Sequence, residues 1–222
     1  MARQYQRSAE TREILIAAAT AHFADAGFDG ASLDSVARRC GVSKGAIYHH
    51  FESKAALLEA VFDRTSMQCI EQAGTGAADE ADPIRRIAAA LRYWLTAVLQ
   101  PVPRRIMLDI GPAGIGFARA RAIEMKNSHA LMRVAIEKAL ATAPMPSRTK
   151  IVNLPDGCAK NAGLIAGLLN ALVVELALDI CAQGDGAVAG DIHFCMIDRL
   201  VFALISGDNE DRQHRQNRQN RQ

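Results

Sequence analysis

Between Ser32 and Lys54 the chain reads S-L-D-S-V-A-R-R-C-G-V-S-K-G-A-I-Y-H-H-F-E-S-K, a stretch rich in side chains suited to a phosphodiester backbone. Ser32, Ser43 and Lys54 fall where helices should begin, so unpaired backbone N–H groups and the positive end of the helix dipole gather beside them. Tyr48 and His49 carry donors for phosphate oxygens or base edges. Gly45 and Ala46 are small enough to let a helix backbone approach a groove closely, and Lys44 places a cation next to them.

Two short helices are needed to position these groups. The first follows Ser32, with Leu33, Val36, Ala37 and Cys40 at helical spacing, and Gly41 ends it. Ser43 caps the second, which runs through about His50, with Val42 and Ile47 as its anchors on the first. Two helices joined by a glycine turn form a helix-turn-helix, in which the first crosses the backbone and the second enters the major groove. His49 and His50 point about 100° apart on a helix, so His49 is assigned to DNA and His50 to packing or the surface.

The same spacing recurs along the whole chain, and no segment shows the sustained alternation of a half-buried strand. An all-α fold is expected. A first helix from about Ser8 to Ala26 carries Leu15, Ala18, Ala19 and Phe23, with Gly27 as its stop. Ser53 caps a fourth helix, whose buried face is Leu57, Leu58, Val61 and Phe62. The run from Gln72 to Asp82 has little to pack and reads as a loose segment. Asp82 and Pro83 then open a helix that lasts to Pro101. Further helices are expected at about Arg104 to Ile110, Gly116 to Thr142, Asp156 to Ala182 and Asp191 to Ser206. Pro144, Pro146 and Pro155 mark one loop, and Gly184, Gly186 and Gly190 another. The domains expected are 1–54 for DNA binding, 55–211 for regulation and dimerisation with helix 54–67 as connector, and an Arg/Gln/Asn-rich tail, 212–222, expected to be disordered.

Composition narrows the classes. The 222 residues are 50% hydrophobic and 23% charged, with 26 Lys+Arg against 24 Asp+Glu and a net charge of +2, which excludes wholesale disorder and a uniformly basic nucleic-acid coat. Residues 1–54 hold seven bases against six acids, so the reading head itself is barely basic. Five cysteines, Cys40, Cys69, Cys158, Cys181 and Cys195, form no C-x-x-C pair, and no metal site or cofactor is expected. The polar stretch from Met1 to Arg12 does not resemble a secretory signal, so none is expected there, and an intracellular, reducing location is expected. The segment from Asn161 to Cys181 is apolar on nearly all sides, but Glu175 and Asp179 share a face, and each would cost about 2.5–3.5 kcal/mol in hydrocarbon. Burial against a partner on its outer side fits better than a membrane span. Catalytic signatures such as G-x-S-x-G, G-x-x-x-x-G-K-[ST] and H-E-x-x-H are absent, so an enzyme is the weakest alternative, behind a helical partner-binding protein without DNA binding.

The stretch A-A-A-T-A-H-F-A-D-A-G-F-D-G-A-S-L-D-S-V-A-R-R-C-G-V-S-K-G-A-I-Y-H-H-F-E-S-K-A-A-L-L resembles the DNA-binding domain of the tetracycline-repressor (TetR) family over about residues 11 to 62. The run R-R-I-M-L-D-I-G-P-A-G-I-G-F from Arg104 is similar to a stretch of the family's C-terminal domains, with Ile110 where an acid is usual and Phe117 where Trp is common. The resemblance implies a homodimeric cytoplasmic regulator, usually a repressor, that leaves a pseudo-palindromic operator when a small molecule binds. It carries phosphate contacts onto Ser32, Ser43, Tyr48 and Lys54, and recognition-helix contacts onto Lys44, Gly45, Ala46 and His49. It also implies an inducer pocket among the C-terminal helices, for which Trp94, Asp109, Phe117, Met125 and His129 are the candidates, and a four-helix dimer interface from the last two long helices of each subunit.

Overall fold

The computed structural model describes residues 2–142, 158–184 and 187–206, and every regular element among them is helical. In order these are α1 (Ala2–Gly30), α2 (Leu33–Cys40), α3 (Lys44–His50), α4 (Lys54–Gly76), α5 (Pro83–Val98), α6 (Pro101–Arg104), a π-helical turn (Arg105–Ile110), α7 (Gly111–Ile115), α8 (Phe117–Thr142), α9 (Cys158–Ala182) and α10 (Asp191–Ser206). The expected tail 212–222 and the loop of Pro144, Pro146 and Pro155 lie outside the described residues.

Local chemistry sets most helix ends. Gly27 breaks α1 at φ 73°, a left-handed conformation that costs glycine nothing, although a short helical stretch resumes to Gly30. Ser32 and Ser35 cap α2 reciprocally, and Gly41 at φ 67° closes it. The Ser43 hydroxyl accepts from Ala46 N–H and that of Ser53 from Ala56 N–H. Asp82 Oδ1 accepts from Ile84 and Arg85 N–H at 2.8 and 2.9 Å, starting α5.

The structure departs from the sequence expectation first in α1, which begins at Ala2 rather than near Ser8, and then in two further stretches. Helix α4 continues to Gly76, because Ala73 and Ala77 are buried and the Tyr93 ring fills the place a side chain at Gly76 would take. Small residues there mark close approach of a neighbour. The helix expected at Arg104 to Ile110 is a single α-turn followed by a wide π-turn, whose Gly111 N–H reaches Ile106 O.

The chain divides into two compact units. One comprises Met1–Glu71 with Ala97–Asn127; the other comprises Gln72–Thr96 with the described residues from Ser128 onward. In the first, Leu15, Ala19 and Phe23 of α1, Leu57, Leu58, Val61 and Phe62 of α4, and Ile106 and Met107 of the π-turn are essentially inaccessible. In the second, Ile136, Ala166, Leu169, Ile180 and Val201 form the centre, and Arg92 binds Asp198 at 2.8 Å.

The first unit also holds an acid, Glu124, whose side chain is largely shielded from solvent. Desolvation pushes the Glu124 carboxyl from about 4.5 up to about 7, with Arg121 at 3.8 Å opposing the shift. The unfolded chain therefore loses this proton first, and its contribution to stability falls as pH rises from about 4.5 and levels off above about 7. Glu124→Gln is expected to remove a decline on the order of 2 kcal/mol across that window. Thermal melts at pH 4 to 8 with the same slope for both proteins would show the expectation wrong.

Candidate nucleic-acid interface

Helix α3 owes its position to Ile47, which is fully buried together with Val36 and Ala37 of α2. That leaves Ser43, Lys44, Gly45, Tyr48 and His49 exposed and Ala46 half-buried. The nearest atom to a side chain built at Gly45 is Ser43 Oγ, 4.0 Å away, so no internal packing demands a glycine. The surface above it is open.

Lys44 lies across the two helices, its Nζ 2.8 Å from Asp34 Oδ2 and 5.5 Å from the centre of the Tyr48 ring. The hydrogen bond to Asp34, then its charge, holds the Lys44 ammonium above its ordinary range. The imidazoles of His49 and His50 meet edge to face at 5.3 Å, and burial lowers the His50 pKa.

A shallow cleft of about 320 Å³ opens beside α3, lined by Ala31, Ser32, Leu33, Tyr48, Glu52, Ser53 and Lys54. Three residues expected at phosphates, Ser32, Tyr48 and Lys54, thus share one depression where the N-termini of α2 and α4 converge. Lys54 is not a loose surface cation. Its Nζ donates to Phe28 O at 2.8 Å and sits 4.1 Å from the centre of the Phe28 ring, tying the start of α4 to the end of α1.

Sequence reasoning missed Asp34, Phe28, His22 and Arg39, which hold the expected contact residues or their neighbours. Their pairings join different helices, and no helical spacing announces them. The ligand candidates are divided between the units: Trp94 and His129 in one, Asp109, Phe117 and Met125 in the other. Phe117 is 68% exposed, and exposed Asp109 lies 4.0 Å from Arg105. Trp94 and Met125 are half-buried, as is His129, whose ring nitrogen contacts Gly163 O at 2.9 Å. Among the described residues no group of three His, Cys, Asp or Glu side chains is placed to hold a metal.

A capped pair of short helices, with a slim exposed second helix beside a serine- and lysine-lined cleft, is a helix-turn-helix, the arrangement of DNA-binding domains that read the major groove. The profile of "Bacterial regulatory proteins, tetR family" matches residues 15–61. Over 94 residues the chain is 37% identical to the A-factor receptor protein of Streptomyces griseus, covering 42% of this chain and 34% of that one. It is 45% identical over 62 residues to the HTH-type transcriptional regulator SrpR of Pseudomonas putida, covering 28% and 29%. The matches thus span about a third of these curated relatives. A TetR-family transcriptional regulator from Pectobacterium atrosepticum superposes with TM-score 0.67 at 23% identity, covering 91% of this chain and 95% of that one. FadR from Bacillus subtilis, solved with stearoyl-CoA, gives 0.62 at 14% identity, covering 89% and 99%. Residues 15–61 are thus a DNA-binding domain of the TetR family, and the fold of the chain is that of these solved regulators.

Proposed function

We propose that this chain is a cytoplasmic, homodimeric transcriptional repressor that binds a pseudo-palindromic operator, one α3 per half-site, and is released by a small-molecule effector held by its C-terminal helices. The exposed face of α3 beside the cleft of Ser32, Tyr48 and Lys54 carries the reading: phosphate-binding groups flank a helix slim enough to enter the major groove. A homodimer is supported by α9 and α10. Leu164, Leu168 and Leu178 of α9 and Ile192, Met196 and Leu200 of α10 are exposed at helical spacing. Among the described residues α9 is also the one helix long and apolar enough to cross a membrane, over Ala162–Ala182, yet Glu175 and Asp179 are exposed on it. A partner helix suits a face that mixes leucines with carboxylates better than lipid does. For the effector, support comes from the solved relative that holds stearoyl-CoA.

Sequencing the genomic fragments retained by the purified protein yields the operator. In footprinting on that site, Tyr48→Ala and Lys44→Ala are each expected to weaken protection about tenfold, as loss of a hydrogen bond to a charged group does. Protection equal to wild type by both variants would place the reading head elsewhere. Repeating the selection with extracts of candidate small molecules tests release.

A further inference from the structure

A run of hydrogen bonds crosses the head and ends on Ser32. His22 of α1 is half-buried, with Nε2 2.7 Å from Ser35 Oγ. Arg39 of α2 brings NH1 to 3.3 Å from His22 Nδ1 and to 3.6 Å from Asp25 Oδ2. Ser35 Oγ in turn lies 2.7 Å from Ser32 O, 3.0 Å from Ser32 N and 3.1 Å from Ser32 Oγ.

The protons in this run can be counted. A guanidinium only donates, so His22 Nδ1 accepts and the ring proton sits on Nε2, aimed at Ser35. A hydroxyl has one proton and two lone pairs. Ser35 spends its proton on the Ser32 carbonyl, its shortest acceptor. Its lone pairs receive His22 Nε2–H and Ser32 N–H, at 2.7 and 3.0 Å. The Ser32 hydroxyl proton, at the longest of the four contacts, finds both lone pairs taken. Ser32 is exposed at the start of α2 and lines the cleft shared with Tyr48 and Lys54.

We propose that His22 is a positioning residue for DNA binding: by filling a lone pair of Ser35 it turns the Ser32 hydroxyl outward, onto a phosphate oxygen of the DNA backbone. Arg39, held by Asp25, selects the ring tautomer that makes this possible. Without the Nε2–H, the Ser32 proton turns inward onto Ser35, and the DNA loses a hydrogen bond. The inference rests on the reading above that the start of α2 meets the DNA backbone.

The test is operator affinity, by fluorescence anisotropy, for wild type, His22→Leu, His22→Gln, Ser32→Ala and the His22→Leu/Ser32→Ala double variant, with melts to confirm folding. Glutamine carries an amide N–H where Nε2–H stands. His22→Leu is expected to weaken binding about tenfold and His22→Gln less than about twofold. Adding His22→Leu to Ser32→Ala is expected to cost nothing further. A histidine that only packs would give additive losses and no rescue by glutamine, and either result overturns the proposal. If His22→Leu does not fold, the wild-type ring decides: nitrogen-15 correlation spectra are expected to show His22 protonated on Nε2, and an Nδ1–H tautomer overturns it. A wild-type protein that retains no DNA sinks the functional reading as well, whereas equal binding by wild type and His22→Leu sinks this inference alone.

Discussion

Gly111→Ala is expected to lower the free energy of unfolding by about 3 kcal/mol, at the upper end of what overpacking a core costs. A Cβ there would stand 2.7 Å from Phe62 Cε2, closer still to its Cδ2, and 2.6 Å from the Ile106 carbonyl oxygen. Neither neighbour can yield cheaply. The Phe62 ring is fully buried, and the carbonyl is backbone held in place by the Gly111 N–H that closes the π-turn. Relief requires the ring to leave its rotamer or the turn to tighten by one residue, and either disturbs the packing of Ile106 and Met107. Urea unfolding is the measurement, and a change below about 0.5 kcal/mol would contradict the packing described. Phe62→Leu in the Gly111→Ala background should recover part of the loss, because the two sites share one space.

In the proposed dimer, Leu168→Glu is expected to separate the subunits into monomers of about 23.9 kDa and to weaken operator binding by more than about a hundredfold. Leu168 is half exposed within its own subunit, so a carboxylate there is solvated in the monomer and the fold survives. In a dimer built on α9 and α10 the same carboxylate would be buried without a partner. An interface of that kind buries on the order of 2,000 Å² in total, and such an area does not tolerate a central charge. Light scattering after size exclusion at micromolar concentration reads the result. An unchanged dimer would mean that the exposed leucines of α9 serve something else.

What was legible in the sequence is what chemistry decides locally. Ser32, Ser43, Ser53 and Asp82 announce helix starts because the side chain that caps lies within three residues of the N–H it satisfies. Gly27 and Gly41 announce stops because only glycine adopts their conformation freely. The π-turn was not legible, since it depends on Gly111 clearing a ring on another helix. The alanines and glycines after Gln72 misled for a related reason: small size serves close packing and looseness alike, and only the partner, Tyr93, distinguishes them. In the candidate site, spacing located the exposed face of α3. The cross-helix pairs of Lys54 with Phe28 and His22 with Ser35 needed the tertiary fold.

The ion pair between Asp34 and Lys44 makes the head adjustable in evolution. Position 34 lies outside α3, yet its carboxylate tethers the lysine next to Gly45. On the proposed reading, a change there would alter the freedom of Lys44, and with it the grip on DNA, without replacing any residue of α3. Binding strength would then have a point of adjustment outside the recognition helix, so a duplicated copy could acquire a new threshold with every residue of that helix unchanged.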